Sequence, residues 1–221
     1  MGKSAIILVL ILIAIGVITL SVIYSGNYQN HQPGPTHNST MSNGTAHNQT
    51  PLFFENAGNV SIDKGSSFTS DYPDGYVQIS GATMVNGNLF SSGGVKINDG
   101  LLYGNGTVTG DVENSAYVAP NVTNLSINGN YVQSPNGTLI IHIYGPSNFS
   151  KLHVTGSVML NGTVNFVFSD NYTPAANARF AFLQAKNITG DFKSTNFSGI
   201  NCTNCSVNPT TLNLEIGTAT P

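Results

Sequence analysis

Asp111 and Glu113 stand two residues apart in Gly110-Asp-Val-Glu-Asn114 and form the best-placed carboxylate pair in the chain for general acid–base chemistry. On a strand, residues two apart share a face, so both acids would project together. Cleavage of a polysaccharide would need a further carboxylate or a cation beside them. Arg179 is the only arginine, however, and no second carboxylate pair is apparent. The plain reading is a solvated strand face, with calcium binding or catalysis as the alternatives. His142 and His153 alternate with Ile141, Ile143, Leu152 and Val154, which turns both outward as surface histidines. His31, His37 and His47 lie in a polar stretch that offers nothing to hold them together as metal ligands. No catalytic, cofactor-binding or metal-binding residue is assigned, and no cofactor is expected.

The most specific motif is the Asn-x-Ser/Thr sequon. It occurs at Asn38, Asn43, Asn48, Asn59, Asn105, Asn121, Asn124, Asn136, Asn148, Asn161, Asn171, Asn187, Asn196, Asn201 and Asn204, while Pro209 excludes Asn208. So many sequons in an exported chain predict glycosylation at several of them, which would sheathe a surface poor in charge. Cys202 and Cys205 are the only cysteines. A thioredoxin-like role would require a helix start within a βαβ unit, and two thiolates do not complete a zinc site. A local disulfide is expected in an oxidising exterior, with a bridge to another chain as the next reading.

These residues are carried by strands and turns. In Leu139, Ile141, Ile143 and in Val164, Phe166, Phe168, alternate residues are apolar over a stretch with no helical spacing. The turns repeat: Val85-Asn-Gly-Asn-Leu-Phe90 returns as Ile127-Asn-Gly-Asn-Tyr-Val132, and Asn-Gly-Thr recurs at Asn105, Asn136 and Asn161. From Asn86 to Asn105 is 19 residues and from Asn105 to Asn128 is 23. Such a period predicts an all-β fold, a single-stranded right-handed parallel β-helix with about 20 residues per coil. Its interior is expected to be filled by Val, Leu, Ile and Phe, leaving no room for a ligand inside.

The order Gly-Asn-Gly-Thr-Val-Thr-Gly-Asp-Val, Val-Ala-Pro, Leu-Ser-Ile-Asn-Gly-Asn-Tyr, Asn-Gly-Thr-Leu-Ile-Ile, Leu-His-Val-Thr-Gly-Ser-Val and Leu-Asn-Gly-Thr-Val-Asn-Phe resembles the passenger repeats of bacterial autotransporter surface proteins. The resemblance spans roughly Val77 to Ile216 and implies the last coils and cap of a β-helical adhesin or enzyme carrier. It carries no catalytic residue. The family's C-terminal membrane barrel has no counterpart up to Pro221.

Composition bounds the rest. With 221 residues, 40% hydrophobic and 8% charged, the chain can bury one sizeable core, and its net charge of −3 comes without basic runs, which excludes a nucleic-acid footprint. Residues 1–25 hold the apolar run Ala5 to Ile23 after Lys3, long enough at 1.5 Å per residue to reach about 28 Å across a bilayer as an anchor or signal helix. Lys3 places the N-terminus in the cytoplasm and the C-terminal domain outside. The chain is then a single-pass surface protein, or a secreted one if the segment is cleaved. Lys3-Ser4 also allows prepilin-type processing. Residues 26–51, rich in Asn, Ser, Thr, His and Pro, form a disordered tether. Residues 52–75 are expected to cap the first coil, 76–217 to form the β-helix, and the cap from about 180 to end with Leu212, Leu214 and Ile216 closing the last rung. The function so implied is a non-catalytic structural or adhesive role at a cell surface or envelope. A pilin-like filament subunit and a carbohydrate-active lyase or hydrolase are the alternatives. Expected partners are the membrane, surface glycans or neighbouring envelope proteins, and further copies of the chain.

Overall fold

A computed structural model describes residues 52–200, 205–208 and 213–216, together with Ile13–Ala14 and Val17–Ile18. The chain divides into two units, residues 1–47 and 48–221. In the first, Ile13–Ala14 and Val17–Ile18 pair antiparallel inside the run expected to be helical. Ile13, Val17 and Ile18 are β-branched, a class that favours extended backbone. The rest of that run, Lys3-Ser4 and the 26–51 tether lie outside the described residues. Among the described residues no helix is long and apolar enough to cross a membrane.

The second unit is a parallel β-helix with three faces. Face 1 stacks Phe54–Asn56, Tyr76–Gln78, Val95–Ile97, Val112–Asn114, Tyr131–Gln133, Ser157–Leu160 and Asn187–Gly190. Face 2 stacks Asn59–Ile62, Ala82–Val85, Leu101–Gly104, Tyr117–Pro120, Thr138–Ile143, Thr163–Phe168 and Ser194–Ser198. Face 3 stacks Ser67–Ser70, Asn88–Ser91, Thr107–Thr109, Leu125–Asn128, Leu152–Val154 and Leu183–Gln184. Every strand in these faces pairs parallel with its neighbours. The face 1 partners Phe54, Tyr76, Val95, Val112 and Tyr131 are 22, 19, 17 and 19 residues apart, bracketing the expected coil length. The next steps lengthen to 27 and 30 residues because Tyr144–Lys151 and Ser169–Ala178 are inserted between faces 2 and 3.

Alternation sets the register as expected. Leu139, Ile141, Ile143, Val164 and Phe166 are fully buried and Phe168 nearly so, while His142 and Asn165 face outward. The corners work differently from the sequence reading. Asn86-Gly87 and Asn105-Gly106 do stack on one corner, between faces 2 and 3, but Asn128-Gly129 turns between faces 3 and 1, and Asn136-Gly137 and Asn161-Gly162 between faces 1 and 2. The 23-residue interval therefore joins unlike corners. At the corner between faces 1 and 2, Gly58, Gly81 and Gly100 form a column. Gly81 has φ +71°, and a β-carbon there would collide with the Gly58 carbonyl oxygen. Such close stacking of one corner on the next leaves no space for a side chain.

Two end segments also differ from expectation. Residues 52–75, expected as a separate cap, form the first coil in register with the second. Phe54 and Phe68 close its open end against Tyr76, with ring centroids 4.9 to 5.8 Å apart. At the far end Asn213–Ile216 does not close the last rung. It lies antiparallel between Arg179–Ala181 and Cys205–Val207 in a three-stranded cap sheet, because alternation alone does not distinguish the two pairing senses. Beneath it Phe180 and Phe182 are fully buried and meet Phe149, Phe166, Phe168 and Phe192.

Candidate binding surfaces

Two open grooves mark the coil exterior. One, of about 330 Å³, lies on face 1 and its corner with face 3, lined by Gly93, Gly94, Lys96, Asp111, Glu113, Asn130 and Val132 among others. The structure thus brings Asp111 and Glu113 together, but it gives them different work. One Asp111 carboxylate oxygen accepts from the Asn130 backbone N–H at 2.8 Å and from its Nδ2 at 3.1 Å. Asn130 Oδ1 in turn accepts from Ser157 N–H at 2.9 Å. Asp111 is therefore a clamp between successive corners. Glu113 is exposed beside Lys96, its register partner one coil below. Arg179 sits in the cap strand opposite Glu215, away from either groove. Among the described residues no group of three or more His, Cys, Asp or Glu could hold a metal ion.

The other groove, about 290 Å³, is walled by Asn105, Pro120, Asn121, Val122, His142, Tyr144 and Ser150. The inserted loop builds it. Tyr144 N–H donates to the Asn148 carbonyl at 2.9 Å, and Ser150 N–H reaches back to the His142 carbonyl at 2.8 Å, folding the loop against the end of its strand. The His142 ring stacks on Tyr144 at 6.1 Å with a 15° interplanar angle, and burial lowers its pKa below the usual 6.5. His142 is thus a half-buried groove residue, while His153 is partly exposed on the outside of face 3. Neutral imidazole, phenol, amide and hydroxyl groups can hydrogen-bond and stack. No carboxylate lines this groove.

Ten sequon asparagines fall among the described residues. Asn59, Asn105, Asn121, Asn136, Asn148, Asn171, Asn187 and Asn196 are exposed; Asn124 and Asn161 are partly covered. Five of them, Asn105, Asn121, Asn124, Asn148 and Asn171, line the corner between faces 2 and 3, and none lies on the corner between faces 3 and 1. Asn38, Asn43, Asn48, Asn201, Asn204, Cys202 and the linker histidines lie outside the described residues. Cys205 opens the cap strand Cys205–Val207 and packs against the core.

The interior contains what the sequence reading missed. It is not wholly apolar: Asn56, Gln78, Asn114 and Gln133 are buried at the inner end of face 1 strands. Asn114 Nδ2 donates to the Tyr131 hydroxyl at 3.0 Å, and that hydroxyl donates to Gln133 Oε1 at 2.8 Å. Gln133 Nε2 then serves the carbonyls of Gly137, Asn161 and Thr163 at 2.8 to 3.2 Å. Three coils earlier the arrangement recurs with Thr83 inserted. Asn56 Nδ2 and the Tyr76 hydroxyl reach Thr83 Oγ1, which donates to Gln78 Oε1 at 2.6 Å. Burial pushes the Tyr76 phenol up to about 12 and that of Tyr131 higher still, so both stay protonated donors. The signal was present as a repeat, Glu55-Asn56 then Tyr-Val-Gln at 76–78, and Glu113-Asn114 then Tyr-Val-Gln at 131–133. No protein-family model matches the chain, and no curated protein matches it.

Proposed function

We propose that the chain is an exported, glycosylated surface protein whose β-helix has a structural or adhesive role and no catalytic one. The observation that carries this reading is the placement of its sequons: eight of the ten described asparagines are exposed, and most stand at corners where a glycan would project clear of the coil. Glycans at Asn105 and Asn121 would also cover the groove beside His142. The pairing of one Asp111 oxygen with the Asn130 backbone and side chain favours a structural role for that carboxylate. The resemblance to autotransporter passengers favours a surface role, and the apolar run Ala5 to Ile23 would supply the attachment. A Cys202–Cys205 disulfide would tie the cap locally.

Glycopeptide mass spectrometry of the native protein, with external protease treatment of intact cells, tests export. Glycans at the face 2/face 3 corner and removal of the C-terminal domain are expected. A protected, unmodified domain would overturn the proposal. For the absence of catalysis, the purified full chain is expected to turn over no polysaccharide. Turnover abolished by Asp111→Asn with Glu113→Gln would establish the enzyme instead.

A further inference from the structure

Along the outside of face 1 the central residues of successive strands are Glu55, Val77, Lys96, Glu113, Val132, Met159 and Thr189, each in register with the next. Read from the gap between Lys96 and Glu113, the middle of this order is complementary to its own reverse. Lys96 answers Glu113 and Val77, only 7% accessible, answers Val132, while Glu55 falls beside Met159, 55% accessible, at the margin. We infer that face 1 is a homodimer interface, in which two copies pack face to face about a two-fold axis parallel to the strands, between Val95–Ile97 and Val112–Asn114.

That operator reverses the coil order while keeping position along the strand. Lys96 of each copy then meets Glu113 of the other, which gives two ion pairs from one contact, as an isologous interface requires. The flanking charges are accommodated as well. Asp111 occupies the corner level that Gly94 occupies one coil earlier, so in the dimer it faces the glycines Gly93 and Gly94 and no like charge. Gly75 similarly falls opposite the neutral Asn130, and Asp74, one residue earlier, opposite Gly129. Corner glycines leave the rim low, so the strands can approach at a normal sheet-to-sheet distance of about 10 Å. Asn187, on the last strand, is the only sequon asparagine on this face. The adjoining corner with face 3 has none, and that with face 2 has Asn136 and Asn161, both beyond the Lys96–Glu113 centre of the contact. Faces 2 and 3 show no such order: the central outward residues of face 2 carry no charge, and those of face 3 are Ser67, Asn88, Thr107, Ser126, His153 and Gln184. The inference goes beyond the surface role proposed above and does not depend on any sequon being occupied.

Strands of three or four residues make a narrow face, below the roughly 800 Å² per partner of a standard interface, so the dimer belongs with the weak associations. Sedimentation of the full chain in mild detergent, from about 10 µM to 1 mM, is expected to show a monomer–dimer equilibrium that weakens as salt screens the two pairs. Lys96→Glu alone and Glu113→Lys alone are each expected to weaken it at least about tenfold, since like charges then meet twice. The decisive sample is an equimolar mixture of the two variants. Their charges complement across the axis, so two chains that stay monomeric apart should form a heterodimer together. An effect of either change within its own chain would not be repaired by mixing. A wild-type chain monomeric throughout, variants that associate like wild type, or a mixture that stays monomeric would each overturn the assignment.

Discussion

Phe166→Asp should remove most of the stability of the coiled domain, while Asn165→Asp, its neighbour in the chain, should leave the melting curve almost in place. Phe166 is fully buried, stacks on Phe197 at 5.6 Å and meets Phe182 edge-on at 5.0 Å. A carboxylate at that position would have no cation to pair with, and the surrounding rings would lose their contacts. The two effects together are worth about 4 kcal/mol or more against a typical total of roughly 5–15. Asn165 faces outward and accepts from Asn196 Nδ2 at 2.9 Å, a role that aspartate can keep. Its replacement should cost about 0.5 kcal/mol or less. Ile141→Asp is expected to repeat the loss one coil lower. Urea unfolding followed by circular dichroism measures the difference. Equal losses at inward and outward sites would mean that the register is shifted by one.

Gln133→Leu should cost about 2–4 kcal/mol although it replaces a polar buried side chain with an apolar one of similar size. The column tolerates such a side chain, since Ile97 stands between Gln78 and Asn114 in it. What is lost is pairing. The carbonyls of Gly137, Asn161 and Thr163 lose the amide that serves them, and the Tyr131 hydroxyl loses its acceptor. Tyr131→Phe removes fewer bonds and should cost about 1 kcal/mol, and Gln184→Leu, exposed on face 3, close to nothing. Thermal unfolding of the three variants should rank them in that order. A Gln133→Leu protein as stable as wild type would show that the buried amide does not hold the corner.

Alternation was legible where one side of a strand is apolar and the other is not, as in 138–143 and 163–168, because a two-residue period leaves no freedom once one face is buried. Coil length was legible from Asn86 and Asn105, which occupy one corner. Corner identity was not, because Asn-Gly makes the same sharp bend wherever the chain must turn. The first coil reads as a cap in the sequence because the open end of a β-helix exposes unpaired strand edges that something must cover. Its strands instead pair in register with the second coil. Gln78 and Gln133 escaped for a different reason: residue class alone assigns an amide to the outside, and only the corner carbonyls explain its place within. Of the candidate surfaces, the shared groove of Asp111 and Glu113 followed from their spacing. Lys96 did not, since its neighbour is 17 residues away in the chain. The His142 groove draws on the 105, 120–122, 142–144 and 150 segments, which no local pattern connects.

The backbone bonds of all three faces run along the stack, each coil holding only the one before and the one after. Tension along that axis therefore loads the coils in series, like links of a chain, and lengthening the body by further coils would extend its reach without raising the force it withstands. The limit lies at the junction with the least bonding. Between Tyr117–Pro120 and Thr138–Ile143 face 2 narrows to two register pairs, Tyr117 with Thr138 and Val118 with Leu139, while the other two faces supply three each. There the buried side chains stacked between the coils, Val118 and Leu139 among them, must carry load that hydrogen bonds carry elsewhere.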